Sequence, residues 1–261
     1  MKYDAIFLSP HLDDAVYSCG GTIAKLTQQG KSVLVVTTTA GSPNLDSLSE
    51  FAQQHHDRWP ANSKATIIET RRDEDARALG LLGADYRHDQ ILDCIYRTNE
   101  SDNHLYQTES ELFGKIHSQD GPTIAATALT IVQVLSEHLD AGDTCVYAPL
   151  GVGNHVDHQI VFASTKGLIK KSKLARDQVF FYEDYPYHET QASEPELDTE
   201  GRWQPVLVDT TQAQNQLRIQ AMALYASQMS DFWDDTDDLT AKLTARWDRY
   251  GRAERFWQLS A

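Results

Sequence analysis

Residues 9–15 read Ser9-Pro10-His11-Leu12-Asp13-Asp14-Ala15 and separate a strand pattern from a helix pattern. The apolar run Ala5-Ile6-Phe7-Leu8 before them predicts a buried strand, and the apolar residues after them recur at helical spacing. A histidine and two carboxylates therefore stand at a strand-to-helix turn, where open parallel α/β sheets form their ligand crevices. His11 and Asp14 can converge on one metal ion, which leaves Asp13 free to accept a proton.

A purely structural role for Asp14 is the alternative at this turn. Aspartate after a strand is a common helix N-cap, and Asp14 directly precedes Ala15 at the predicted helix start. This pattern alone does not separate a cap from a functional site. A second group of ligands elsewhere in the chain is needed to decide between them.

The chain is acidic, with a formal net charge of −15 over 261 residues. This charge disfavours nucleic acid as a partner, because a phosphate backbone is bound by basic patches. The three cysteines show no CxxC spacing and predict neither a zinc ribbon nor a disulfide framework. No apolar stretch approaches the roughly 20 residues of a membrane helix, and the N-terminus lacks a signal-peptide pattern. The sequence predicts a soluble, cytoplasmic protein without membrane or nucleic-acid partners and leaves homo-oligomerisation open.

The order of strand and helix patterns predicts an α/β fold, a single-domain Rossmann-like three-layer sandwich with a mostly parallel central sheet. No composition shift marks a linker, so residues 1–261 are interpreted as one domain. The segment 40–64 lacks clean periodicity and is expected to be a lid or substrate loop. Residues 205–261 are expected to form a C-terminal extension packed on the core.

Individual elements follow from apolar periodicity and from turn residues. Strands are predicted at 5–8, 32–38, 144–150, 178–182 and 204–208. Helices are predicted at 16–26, 70–82, 212–226 and 238–246, and another begins near Asp157. One further helix is expected to open at Asp120-Gly121-Pro122 and to end at Ala141-Gly142.

A second histidine pair follows another predicted strand, in the stretch Gly151-Val152-Gly153-Asn154-His155-Val156-Asp157-His158. His155 and His158 are three residues apart, so both can project to one side of the helix start. With the first turn they supply two histidines and a carboxylate, a ligand set suited to catalytic zinc with an open position for water. Iron(II) uses the same set, whereas magnesium avoids imidazole. The alternative is that protein groups satisfy both histidines and that Asp157 caps the helix.

These motifs resemble those of the LmbE-like, or PIG-L, family of zinc deacetylases. Its (P/A)HPDD motif is similar to Pro10-His11-Leu12-Asp13-Asp14, and its HPDH motif is similar to His155-Val156-Asp157-His158. Its RxxE…LG helix resembles Arg71-x-x-Glu74 followed by Leu82-Gly83, and its YYEDxPY segment resembles residues 181–187. The resemblance spans most of the chain.

The resemblance implies one zinc ion per chain held by His11, Asp14 and His158, with Fe²⁺ as the other candidate metal. It implies Asp13 as the general base that takes a proton from the attacking water. It implies that His155 stabilises the oxyanion or protonates the leaving amine. The implied reaction removes an N-acetyl or related N-acyl group from an amino sugar such as N-acetylglucosamine, or from a glycoconjugate, and releases acetate and a free amine.

Three positions depart from the family pattern, and they leave the substrate undefined. Leu12 replaces proline, Ala15 replaces glutamate, and Gly153-Asn154 stands where relatives often carry Tyr-Gly. Arg71 and Asp184 are predicted to bind substrate. The alternatives are an ion pair on the helix surface for Arg71 and a turn position for Asp184.

Two other functions remain as alternatives at this point. A metal-dependent amidase acting on a non-sugar substrate would use the same ligands. A non-catalytic sugar- or nucleotide-binding module would use the same type of fold, although the GxGxxG turn of a dinucleotide site is absent after the first strand.

Overall fold

The computed structural model describes residues 1–59, 66–139, 144–187 and 202–260. The strands in these ranges are β1 (Ala5–Ser9), β2 (Val33–Thr37), β3 (Asp85–His88), β4 (Cys145–Pro149), β5 (Val179–Tyr182), β6 (Arg202–Asp209) and β7 (Ala253–Ser260). The helices are α1 (Asp14–Gln28), α2 (Glu50–Arg58), α3 (Ile67–Leu82), α4 (Glu109–Leu112), α5 (Gly121–His138), α6 (Val156–Lys170), α7 (Gln212–Met222), α8 (Met229–Phe232) and α9 (Thr236–Arg249). The strands form one sheet in the order β3-β2-β1-β4-β5-β7-β6. The first five strands in this order are parallel to one another, whereas β7 is antiparallel to both β5 and β6.

β1 lies at the centre of the parallel part of the sheet and pairs with β2 on one side and β4 on the other. Its side chains alternate between two cores. Ala5 and Phe7 pack with α1, α3, α7 and α9, whereas Ile6 and Leu8 pack with α5 and α6 on the opposite face. Burial on both faces explains why β1 is a continuous apolar run. The predicted three-layer α/β fold with a mostly parallel sheet is confirmed.

The strand order reverses direction at β1, since β2 and β3 lie on one side of it and β4 and β5 on the other. A crevice forms at such a reversal, outside the carboxyl ends of the two strands that flank it. The turn after β1 is held in place by Ser9, whose hydroxyl donates to the carbonyl of His11 (2.7 Å) and accepts the amide of Ala15 (3.1 Å). Because β1 and β4 are adjacent and parallel, the turns that follow them lie side by side at this edge of the sheet.

The C-terminal segment extends the sheet itself, because β7 inserts between β5 and β6. Glu183, the residue after β5, anchors this addition. Its side chain is fully buried and accepts hydrogen bonds from Arg255 and Trp257 of β7 and from Arg246 of α9. No helix among the described residues is both long and apolar enough to cross a membrane.

The segment 40–64 contains more regular structure than its periodicity predicts. A 3-10 turn spans Leu45–Ser47, and α2 follows with Ser49 as its N-cap, the hydroxyl accepting the Ala52 amide at 3.0 Å. Residues 45–58 are therefore largely helical rather than a continuous loop, and 60–64 lie outside the described residues. The expected role of this segment as a lid or substrate loop stays a prediction. Only two of the nine α2 residues are buried hydrophobics, so few apolar positions were available from which to read a periodicity.

Element boundaries also differ from the predictions. α3 begins at Ile67 rather than near Thr70, because Ile67 and Ile68 are buried in a cluster with Phe51 and Tyr96. α7 ends at Met222, before the predicted 226, and α9 runs from Thr236 to Arg249 rather than over 238–246. The predicted helix end at Ala141-Gly142 lies outside the described residues. β3 and β7 were not predicted.

Two glycines in the middle of α1 let the C-terminal segment approach that helix closely. A Cβ atom at Gly20 would lie 2.7 Å from Cγ of Arg218, and one at Gly21 would lie 2.8 Å from Oε1 of Glu254. Glu254 accepts the amides of Gly21 (2.9 Å) and Thr22 (2.7 Å) and pairs with Arg218 at 3.0 Å. The glycines at the centre of this helix therefore serve packing.

We expect Gly20→Ala to destabilise the protein by about 1–3 kcal/mol, because the added methyl group must displace the buried Arg218 side chain. Gly80→Ala is the matched control, since Gly80 also lies in a helix but has open space where its Cβ would stand. That change should stabilise the protein by roughly 0.5–1 kcal/mol through helix propensity. Urea unfolding of both variants tests the difference, and equal effects would contradict the packing role of Gly20.

Candidate active site

The carboxyl ends of β1, β4 and β5 meet at a cavity of about 230 Å³. The turn after β1 contributes His11, Asp13 and Asp14 to its lining, and the turn after β4 contributes His155. His158 lies behind them in the first turn of α6 and is fully buried. All five residues that the sequence assigned to the metal and to catalysis are therefore brought together.

Three potential ligand atoms form a nearly equilateral triangle. Nδ1 of His11 lies 3.1 Å from Oδ2 of Asp14, and Nε2 of His158 lies 3.3 Å from both of these atoms. Zinc–ligand distances of about 2.0–2.2 Å put the donors of a tetrahedral ion roughly 3.3 Å apart. The donor set and its spacing therefore fit one face of the coordination shell of a single divalent metal ion.

Each histidine of this triangle has its other ring nitrogen held by a buried carboxylate. Nε2 of His11 contacts Oδ2 of Asp157 at 3.0 Å, and Nδ1 of His158 contacts Oδ1 of Asp184 at 2.7 Å. Metal-binding histidines usually donate their second N–H to such a partner, which fixes the tautomer and the ring orientation. These contacts leave Nδ1 of His11 and Nε2 of His158 as the nitrogens that face the triangle.

Asp184 occupies a different place from the one predicted for a substrate-binding residue. Its side chain is fully buried behind His158, and its second oxygen accepts the amide of Val152 at 2.8 Å. Both carboxylate oxygens are thus engaged by residues of the turn after β4. Asp184 orients a ligand candidate and does not line the cavity.

The carboxylates around the triangle raise the pKa values of its two histidines. Burial opposes a charge on His11, but the carboxylates of Asp93 and Asp14 outweigh it and hold the pKa of His11 well above its ordinary value. Burial likewise opposes a charge on His158, yet Asp14 and Asp184 raise the pKa of His158 to about 9. Such a site favours positive charge at its centre, and metal binding there releases protons from the ligands.

Asp13 lies beside the triangle and faces Arg71, with 3.6 Å between Oδ2 and Nη2. Burial and the negative charge of Asp14 raise the pKa of Asp13 to about 8. Asp13 stands at the N-cap position of α1 without making a side-chain cap, and Asp14 accepts the His11 amide at 2.8 Å. The N-cap alternative for Asp14 is therefore wrong.

Arg71 is buried and lines the cavity, with its guanidinium 4.7 Å from the centre of the Trp59 ring. Its Nε has no hydrogen-bond partner within the described ranges. Glu74, three residues later, accepts the amide of Ser227 (3.0 Å) and its hydroxyl (2.5 Å). The surface ion pair considered for Arg71 is therefore wrong, because the residue is buried at the cavity.

His155 is the N-cap of α6, and its Nδ1 accepts the amide of Asp157 at 3.3 Å. This contact puts the ring proton on Nε2. Burial and the charges of His11 and His158 hold the pKa of His155 well below its usual value, so the ring is neutral. Its Nε2–H can donate a hydrogen bond. Asp157 is not the cap, and that alternative is wrong.

Three polar residues of this site were missed as functional candidates. Asp93 lines the cavity with Oδ2 3.8 Å from Nε2 of His11, and Arg97 forms a buried ion pair with Asp157. Asp93 and Arg97 lie in a stretch without periodicity, where no local spacing links them to the motifs. Asp157 lies within a recognised motif, but its partners are 60 or more residues away in the chain.

The upper walls of the cavity are aromatic. Trp59, Phe113, Tyr187 and Phe232 come from four separate segments and line it together. The indole N–H of Trp59 donates to Asp231 at 3.0 Å, which joins the end of α2 to α8. The cavity thus combines aromatic side chains with charged and polar groups, as small-molecule sites do.

Comparisons with known proteins agree with this geometry. The 2'-N-acetylparomamine deacetylases of Niallia circulans and Streptomyces fradiae are 27% and 30% identical to the chain over 192 and 184 residues. Each match includes 70% of this chain but only 66% and 57% of the respective relative. The chain thus spans less than two thirds of the length of these curated relatives.

Solved structures match over nearly the whole chain. The zinc-inhibited form of teicoplanin deacetylase has a TM-score of 0.84 at 27% identity, covering 98% of this chain and 97% of that one. The A40926 pseudoaglycone deacetylase has a TM-score of 0.79 at 27% identity, covering 100% and 98%. The family model described as PIG-L, GlcNAc-PI de-N-acetylase, matches residues 6–168, more than half of the chain. The resemblance found in the motifs is confirmed, and the chain belongs to the PIG-L family.

Proposed function

We propose that this protein is a metal-dependent N-deacetylase that removes an N-acetyl group from an amino sugar or glycoconjugate and releases acetate and a free amine. The observation that carries the proposal is the triangle of His11, Asp14 and His158 ligand atoms, with Asp13 and His155 lining the same cavity. The names of these relatives support it, because they are deacetylases of 2'-N-acetylparomamine, of teicoplanin and of the A40926 pseudoaglycone. Cytoplasmic location and oligomeric state stay predictions.

His11, Asp14 and His158 would hold the metal, one ion per chain. A divalent cation held there would supply Lewis-acid chemistry and would make a hydroxide nucleophile available near neutral pH. Zinc is the first candidate because two imidazoles and a carboxylate with an open position are typical of catalytic zinc. Iron(II) is the second, since it uses the same ligand set.

We expect the purified protein to contain about one zinc ion per chain, as three protein ligands bind a single ion. His158→Ala should lose it, because one corner of the triangle disappears. His138→Ala is the control, since His138 lies at the end of α5 away from the triangle, where its side chain contacts the Met1 carbonyl and Glu137. Metal content by inductively coupled plasma mass spectrometry tests this, with anaerobic preparation to preserve iron(II). Zinc retained in full by His158→Ala would contradict the assignment.

Asp13 is the proposed general base. It lies one residue before Asp14 and lines the cavity, and its only ion-pair partner in the described chain is Arg71 at 3.6 Å. A base works best when its pKa lies near the working pH, and burial keeps this carboxyl from being a weak base. Arg71 holds Asp13 on one side and, because its side chain also lines the cavity, is proposed to bind substrate there.

His155 is proposed to stabilise the negative charge that develops on the carbonyl oxygen. Its neutral ring carries the proton on Nε2 and donates from a fixed position, because Nδ1 is held by the Asp157 amide. A preorganised donor of this kind strengthens its hydrogen bond as charge develops. The neutral state favours this role over direct protonation of the leaving amine.

We expect Asp13→Asn to lower kcat by about 10²–10⁴-fold, the usual contribution of a general base. The change keeps the shape of the side chain, so zinc content and the thermal midpoint should remain close to those of the wild type. Acetate release under saturating substrate measures kcat, and metal analysis of the same sample is the control. Full activity in a zinc-loaded Asp13→Asn sample would remove Asp13 from the mechanism.

The aromatic walls support a sugar rather than a simple amide as substrate. Trp59 and Phe232 line the cavity with aromatic rings, while Gln228 and Asp231 line it with polar groups. Pyranose rings present both apolar C–H faces and hydroxyl edges, which match this mixture. Remote contacts of this kind contribute to kcat/KM only for a substrate that carries the sugar.

We expect kcat/KM for N-acetylglucosamine or 2'-N-acetylparomamine to exceed that for a simple N-alkyl acetamide by about tenfold or more. Phe232→Ala should lower kcat/KM for the sugars and leave the acetamide unchanged, which makes the acetamide the internal control. Equal rates for both classes would favour the amidase alternative. Sugar binding without acetate release by the zinc-loaded protein would favour the binding module.

A further inference from the structure

Arg97 lies buried behind His11, between two carboxylates. Only 6% of the residue is exposed, and its Nη1 contacts Oδ1 of Asp157 while Nη2 lies 2.9 Å from Oδ2 of Asp120. Nη1 also donates to the carbonyl of Leu92 at 3.1 Å. Nη1 makes hydrogen bonds to Asp157 and Leu92, whereas Nη2 makes an ion pair with Asp120 without a hydrogen bond. The planar guanidinium therefore contacts both carboxylates and is held most firmly at Asp157.

The contacts of Asp157 connect Arg97 to the metal-ligand triangle. Asp157 is 1% exposed, and its Oδ2 is shared by the amide of Cys94 (3.0 Å) and Nε2 of His11 (3.0 Å). Arg97 occupies the other oxygen. With both oxygens engaged, the carboxylate has one orientation, and the His11 ring bonded to it has one orientation as well.

Asp120 closes the network on the far side of Arg97. Its Oδ2 accepts the hydroxyl of Tyr106 at 2.8 Å, and that hydroxyl accepts the amide of His117 at 2.9 Å. The guanidinium carbon of Arg97 lies 5.4 Å from the centre of the Tyr106 ring. Asp120 directly precedes α5, so the network is fixed to the start of a long helix.

We propose that Arg97, supported by Asp120, is a positioning residue for the metal ligand His11 and acts on it through Asp157. The inference rests on the proposed function, because it requires the metal to bind at His11. Without Arg97, Asp157 loses its partner at Oδ1 and can turn away from Nε2 of His11. The ring is then free to rotate, and its Nδ1 no longer points steadily at Asp14 and His158.

We expect Arg97→Met to weaken zinc binding by about 10–100-fold, the range measured when the partner of a ligating histidine is lost. Arg97→Lys should give a smaller loss, since it keeps the charge but lacks the planar group that contacts both Asp157 and Asp120. Zinc affinity is measured by competition with a chromophoric chelator on metal-free, folded protein. The thermal midpoint of the same metal-free samples reports stability separately.

Arg218→Met is the matched control. Arg218 is 3% exposed and pairs with Glu254 at 3.0 Å, so its loss also leaves a buried carboxylate, but this pair lies at the contact of α1 with α7. It should lower the thermal midpoint and leave zinc affinity unchanged. If Arg97→Met does not fold, Arg97→Lys and the charge-balanced Arg97→Met/Asp120→Asn variant provide the same comparison.

Weaker zinc binding in the Arg97 variants, with wild-type affinity in Arg218→Met, would support the positioning role. Unchanged affinity in the Arg97 variants, or an equal loss in Arg218→Met, would overturn it. A wild-type protein that binds no zinc or iron(II) at all would instead refute the proposed function.

Discussion

The contact between His11 and Asp157 joins the turn after β1 to the turn after β4, and the rest of the site depends on it. Both groups are buried, and a buried carboxylate is costly unless every lone pair that faces the protein has a donor. Arg97 and the Cys94 amide supply those donors. The segments around residues 94 and 120, which are distant from Asp157 in the chain, are thereby held close to its carboxylate. The buried carboxylate of Asp157 thus holds together the turn at His11 and the segment from Cys94 to Arg97.

The carboxylates that orient the two histidines of the triangle are held by different kinds of group. His11 follows β1 and is held by a carboxylate whose partner is a side chain, Arg97. His158 lies within α6 and is held by Asp184, whose second oxygen is fixed by a backbone amide. Because the supports come from separate elements, each ring is oriented independently of the other. Their shared neighbour is Asp14, which completes the triangle from the start of α1.

Buried carboxylates also connect α3 to the C-terminal segment, and both of these elements line the cavity. Arg71 of α3 faces the cavity, whereas Glu74 one turn later holds Ser227, and Asp75 accepts the hydroxyl of Tyr225 at 2.7 Å. The loop between α7 and α8 is thereby bound to α3, and it leads directly to Phe232 on the cavity wall. α3 therefore contributes Arg71 to the cavity and also positions the segment that leads to Phe232.

Sequence alone determined the parallel core and the two ligand clusters, because both are local patterns. Strands buried on both faces are continuous apolar runs, and ligands on one turn, such as His11 and Asp14, lie a few residues apart. β7, the helical nature of residues 50–58, and the roles of Arg97 and Asp157 had no such pattern. β7 gains its place only by pairing with β5, and Arg97 meets Asp157 across 60 residues. Tertiary structure alone decided these, because a buried charge selects its partners by proximity in space, whatever their separation in the chain.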